Sequence, residues 1–245
     1  MEVHHHSHTS RKKWSHYFWE FLMLFLAVFC GFLAEYQLEH KIESDRGRQY
    51  VNSMYEDLRM DTLTLNTIIQ NRIRRNEMFD SLLSLIDNPG NHLPNLYFFA
   101  RHMTRTAPVL FINNDRTIQQ LKYSGGLRLI SNKRISDSIM MYDRQVRLVL
   151  ERQDNELAII RDCLPYYYKV FDGRVFVKML DANNVINRIT FSPSLLKFSE
   201  QDLNTFLGYF QNIKAINQSN IVHAKILKEK AVELIVILKK ENNIK

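Results

Sequence analysis

The side chains with the greatest chemical capacity are dispersed along the chain. His4, His5, His6 and His8 crowd the first ten residues, and clustered imidazoles can hold Zn, Ni or Cu weakly. No cysteine or carboxylate set beside them completes a site of defined geometry, which points to a His-rich tail without a metal role. His16, His40, His92, His102 and His223 are isolated from one another, and an isolated histidine is ordinarily a surface or hydrogen-bonded residue. HExxH, GxSxG, P-loop and dinucleotide-binding patterns are missing. Arg72, Arg74 and Arg75 form the densest basic patch, without the aromatic interleaving of a nucleic-acid surface. The expectation is no catalytic residue, no cofactor-binding residue and no metal ligand, with an enzyme as the least favoured reading.

The elements that would position any site begin with the stretch Trp14 to Ala34. Phe21 to Ala34 carries no charge, and Tyr17, Phe18 and Trp19 extend its apolar character past Glu20. As a helix the stretch is about 31 Å long at 1.5 Å per residue, matching a hydrocarbon core of about 30 Å. Trp14, Tyr17 and Trp19 at one end and Tyr36 at the other suit the two headgroup belts. Signal-peptide cleavage after Ala34 would put Phe32 where a small residue is needed, and Phe29 before Cys30 spoils a lipoprotein box. The reading is an uncleaved anchor. Glu20 then either reaches back to the interface or contacts another protomer.

Arg11, Lys12 and Lys13 precede the span with only Glu2 opposing, whereas Lys41, Arg46 and Arg48 beyond it are mixed with Glu35, Glu39, Glu43 and Asp45. The positive-inside rule places residues 1–13 in the cytoplasm and residues 35–245 in the periplasm. With Cys30 in the span and Cys163 alone in the remainder, no intramolecular disulfide is expected; Cys163 is a buried thiol or an intermolecular bridge. The net charge of +7 fits a solvated surface facing anionic headgroups or envelope polymers. Export excludes nucleic acid as a partner.

Only 7 Gly and 5 Pro occur in 245 residues, with 45% hydrophobic residues, which argues for long helices. Val51, Leu58, Leu65, Phe79 and Ile86 recur at heptad spacing with Met54, Ile68 and Leu82 beside them, and Arg72 fills the missing position. This helix is expected to continue from the anchor. A second stripe comprises Ile135, Ile139, Tyr142, Val146, Val149, Gln153, Leu157, Ile160 and Leu164, after which Pro165 kinks or ends the helix. The third runs from Ser199, with Asp202 as capping-box partner, to about Lys240 through Leu203, Phe206, Phe210, Ile213, Ala224, Leu227, Ala231, Leu234 and Leu238. Asn217 and Asn220 interrupt it. Buried polar residues at such positions fix register or oligomeric state, or else they reach solvent.

Asp87-Asn-Pro-Gly-Asn-His-Leu-Pro94 signals a turn before a short helix near Leu96 to Thr104, and Asn114 is placed to cap a helix from Asp115 to Tyr123. Gly125 and Gly126 stop that helix, and Ser131 or Asn132 caps the next. The loose alternation from Arg174 to Phe191 around Asp181 to Asn184 is compatible with a small β-hairpin near residues 174–191, or with an ordered loop.

Lys12-Lys-Trp-Ser-His-Tyr-Phe-Trp-Glu-Phe21 with the following LMLFLAVFCGFLAEYQLEHKIE, and the later Leu121-Lys-Tyr-Ser-Gly-Gly-Leu-Arg-Leu-Ile-Ser-Asn132 with Ile135 to Ile139 and Tyr142, resemble a Bacteroidota family of single-span proteins of unknown function. The resemblance covers most of the chain and implies a Gram-negative envelope with a periplasmic domain; it brings no activity. The expected architecture is all-α: an N-terminal transmembrane helix, residues 14–34, followed by an elongated helical bundle over residues 35–245. The expected function is a non-enzymatic scaffold at the bacterial inner membrane, acting through the lipid bilayer and either a homo-oligomer or an envelope protein partner. The alternative is an envelope sensor signalling through a partner.

Overall fold

The computed structural model describes residues 14–105, 109–130 and 132–242, with side chains through Lys240. The His-rich tail, the basic triplet and Ser131 lie outside them. The described residues form an all-α bundle with one long N-terminal helix. The helices are α1 (Trp14–Ile86), α2 (Leu93–Met103), α3 (Arg116–Tyr123), α4 (Lys133–Val170), α5 (Gly173–Lys178) and α6 (Glu200–Asn242).

Helix α1 has 73 residues, about 110 Å at 1.5 Å per residue, and no glycine or proline breaks it between the apolar stretch and the core. From Trp14 to Arg46 it stands almost entirely in solvent, and Phe21, Phe25 and Phe29 stack successively along one face, with ring centroids 6.2 and 5.9 Å apart. It is the one described helix long and apolar enough to cross a membrane, through an 18-residue window of mean hydropathy 2.0, none of it buried.

Gly47 marks where α1 enters the bundle. A Cβ there would lie 2.3 Å from the Leu129 carbonyl oxygen, so only glycine lets the corner at 126–130 close on α1. That corner is a turn of 3-10 helix, Gly126–Leu129, entered through Gly125 at φ 67°. Asn132 then caps α4 by accepting from the Arg134 N–H at 2.9 Å.

Cross-helix pairs fix the topology. Tyr55 faces Lys239, Asn66 accepts from Lys228, Asn76 donates to Gln218 and Lys214 pairs with Asp80. Each step along α1 is matched by an equal step back along α6, so the two are antiparallel without slippage. Lys169 with Asp202 and Arg152 with Ser219 give the same relation between α4 and α6. Helices α1 and α4 therefore run the same way, and residues 87–130 return between them: Met103 lies at the level of Arg75, Asn114 at Asp61, Thr117 at Asp57, Ser124 at Tyr50. The result is an up-down-up-down bundle of four legs, with α1 and α4 on one diagonal.

Several sequence expectations are corrected here. Pro165 does not end α4: the helix runs on to Val170, with Pro165 on its exposed face together with Arg161, the residue whose carbonyl loses its donor. The buried stripe of α4 contains Glu156 and Cys163 where Leu157 and Leu164 were expected. Asn114 does not cap α3; its backbone and side-chain N–H groups both donate to Asp61 at 2.8 Å. Residues 174–191 hold no hairpin. Asp172 caps α5 by accepting from Arg174 N–H at 2.9 Å, turning Val175 and Phe176 onto one face against the core. What remains of the hairpin is one bridge, Leu180 to Ile186, around Asp181, whose carboxylate accepts from the Asn183 and Val185 N–H groups.

Leu58 and Leu227 are fully buried in one apolar cluster. Replacing either by Asp sets an unpaired charge in that cluster, costing about 3–5 kcal/mol by analogy with broken buried ion pairs. Urea unfolding of the detergent-solubilised chain followed by circular dichroism is expected to show a lower midpoint for Leu58→Asp and Leu227→Asp; an unchanged midpoint removes these rows from the core.

Candidate functional site

The core is two apolar clusters. One, nearer the apolar N-terminal stretch, runs from Val51 to Ile69 on α1 and includes Val149 and Ala224; the other starts at Phe79, Ile160 and Ile213. Between them lies a polar layer, and this is where the arginine patch and both interrupting asparagines meet. Arg72 donates to Glu156 Oε2 at 2.8 Å and to Asn217 Oδ1 at 2.9 Å. Arg75 donates through Nη1 to Glu156 Oε1 and through Nη2 to the Met103 carbonyl at 2.8 Å. Asn217 donates to the Arg72 carbonyl and to Asn76 Oδ1, and Asn220 donates to Glu156 Oε2 at 2.7 Å. Arg72 and Glu156 are each 1% exposed.

The layer settles the alternatives for these positions. Arg72, Asn217 and Asn220 meet within one chain and fix register; they do not reach solvent. Arg74, the middle residue of the patch, points outward. Glu156 was missed by sequence reasoning, although its spacing from Gln153 and Ile160 puts it on the stripe; a carboxylate there is the signal that a buried cation must face it.

A second polar set spans the same diagonal nearer the apolar N-terminal stretch. Asp61 accepts from Tyr142 Oη at 2.7 Å as well as from Asn114, and burial raises its pKa from the ordinary value. Burial and the neighbouring Asp61 carboxylate also hold the Tyr142 phenol protonated. Between the two sets, Gln153 grips the Phe111 peptide from both sides, accepting its N–H at 2.6 Å and donating to its carbonyl at 3.0 Å.

The other residues singled out remain apart. Cys163 is fully buried, and burial pushes its thiol up to about 12. Cys30 is exposed on the apolar stretch. His16 pairs with Glu20 at 3.2 Å on α1, His40 stacks on Tyr36, and His102 contacts the Phe98 carbonyl at 2.9 Å through Nδ1. Among the described residues no three His, Cys, Asp or Glu side chains converge to hold a metal. No family model, curated protein or solved structure matches the chain, so the family resemblance rests on its motifs.

Removing Glu156 strips the one carboxylate from two buried guanidinium groups. Glu156→Leu is expected to cost about 3–5 kcal/mol, and adding Arg72→Met and Arg75→Met to recover most of it, because an apolar replacement of a whole buried ion set is tolerated far better than half of one. Urea midpoints of the two variants test the order; equal losses would mean that charge is not the cause.

Burial holds the imidazoles of His102 and His223 below the ordinary value of 6.5, helped by nearby arginines. The folded chain thus binds fewer protons than the unfolded chain, and this stability is present above pH 6.5 and lost as pH falls through the lowered folded values. Melting curves from pH 7.5 to 5 are expected to show that decline, and His102→Gln to flatten it.

Proposed function

We propose that this protein is a membrane-anchored, non-enzymatic scaffold of the bacterial cell envelope, its anchor in the inner membrane, its N-terminal tail cytoplasmic and its bundle periplasmic. The observation that carries this reading is the continuity of α1. One helix is both the apolar segment and a leg of the core, so the bundle has a fixed direction relative to the anchor. Taking Trp14–Ala34 as the span, residues 35–46 make an exposed stalk of about 18 Å before Gly47 meets the bundle. That geometry favours holding a surface at a set height over carrying out a reaction.

The polar interruptions are consumed inside the chain and no longer argue for association. Support for association comes from the outer surface, where Leu63 on α1 and Val232 and Val236 on α6 are exposed at matching levels of the antiparallel register. Such a surface suits a second copy or an envelope partner. Light scattering on the detergent-solubilised chain is expected to give a mass above one protomer of 29.2 kDa after subtraction of detergent. A monomer at every concentration, with no co-purifying envelope protein, would remove the scaffold reading. Topology is tested separately: alkaline phosphatase fused after Lys245 is expected to be active, and a stable inactive fusion reverses the orientation.

A further inference from the structure

Two guanidinium groups and one carboxylate leave the polar layer with an uncompensated positive charge. Arg75 is 4% exposed and its Nε has no hydrogen-bond partner among the described residues. Its Nη2 is satisfied by the Met103 carbonyl at the C-terminus of α2, whose dipole offsets part of the charge, and its guanidinium carbon lies 5.1 Å from the Phe79 ring centroid. Beside it, between α1 and the end of α2, opens a cavity of about 190 Å³ lined by Arg75, Arg74, Arg105, His102 and Asn71 among others, and, among the described residues, by no Asp or Glu. Arg74 and Arg105 form no ion pair among the described residues, so the cavity gathers three guanidinium groups.

We propose that this cavity binds a small oxyanion of the phosphate class. Bound there, the anion would accept from the planar N–H groups of Arg74 and Arg105, and its charge would extend the alternation of Arg72, Glu156 and Arg75 across the layer. His102 donates through Nδ1 to Phe98 when neutral and gains a second donor on protonation, which adds to the same polarity. A phosphate group could come from a lipid headgroup or from solution. Arg74 is 40 residues beyond Ala34, about 60 Å along α1, so the bilayer holding the anchor is out of reach and the source is a soluble phosphate.

The test uses the full chain in phosphatidylcholine nanodiscs at constant ionic strength, titrated calorimetrically with inorganic phosphate against sodium chloride. Saturable binding is expected, with a melting temperature that rises in phosphate and not in chloride. Arg74→Gln combined with Arg105→Gln, both at exposed positions, is expected to weaken binding at least tenfold while leaving the melting temperature in chloride unchanged. His102→Gln is expected to weaken it less. Absence of saturable binding, or equal affinity in the double variant, overturns the site. In nanodiscs with one fifth phosphatidylglycerol the phosphate affinity is expected to hold; a fall would identify the headgroup as a competitor and overturn the soluble source.

Discussion

Glu156 pairing with both Arg72 and Arg75 across the diagonal of the bundle is the interaction around which the remaining packing is arranged. In an apolar interior each of these ions loses several kcal/mol of hydration, and their attraction recovers it only when geometry is good and leftover donors and acceptors are met. Asn217, Asn220, Asn76 and the Met103 carbonyl meet most of them. These partners come from α1, α2, α4 and α6, so the ion set is satisfied in one arrangement of four legs. A slip of α6 by one residue would rotate Asn217 about 100° away from Arg72. Apolar contacts alone would resist that slip less, since Leu, Ile and Phe exchange neighbours at modest cost.

The register fixed at the layer is carried in both directions by the helices. Toward the apolar N-terminal stretch, α1 and α6 keep step as far as Tyr55 and Lys239; away from it, α4 and α6 keep step to Lys169 and Asp202. Because α1 passes unbroken from the core into the exposed apolar stretch, the orientation of the bundle about its own axis is also the orientation of Phe21, Phe25 and Phe29 about theirs. The close approach at Gly47 belongs to the same logic, for it seats the 126–130 corner where α1 leaves the core.

Much of this was legible in the residues. Heptad rows on α1 and α6 identified the buried leucines and phenylalanines, with Leu203 at the start of α6 only half-buried, because two faces of a long helix differ strongly in polarity. The corner at Gly125 was readable because φ above zero favours glycine. The polar layer was half legible: Arg72, Asn217 and Asn220 stood out as interruptions, yet their mutual contact depends on the return of the chain through residues 87–130, which no local periodicity encodes. On α4, Leu157 competed with Glu156 for the stripe, and hydrophobicity favoured the wrong one. Alternation at 174–191 misled because an aspartate cap at Asp172 decides the local structure before any strand pairing can.

The buried polar residues outside the layer follow from the same return leg. The described residues of that leg between Met103 and Arg116 are not α-helical, and a peptide chain inside a bundle without helical hydrogen bonds must find partners for its N–H and C=O groups elsewhere. Gln153 supplies both for Phe111, and Asp61 and Asp57 accept the N–H groups of Asn114 and Thr117. Their burial on α1 and α4 is therefore required by the irregular leg they face, and Tyr142 completes Asp61 from the opposite helix. Gln153, Asp57 and Asp61 are in this way committed to backbone groups of that leg. The guanidinium groups are not fully committed, and the cation excess at the end of α2 is what the packing leaves over.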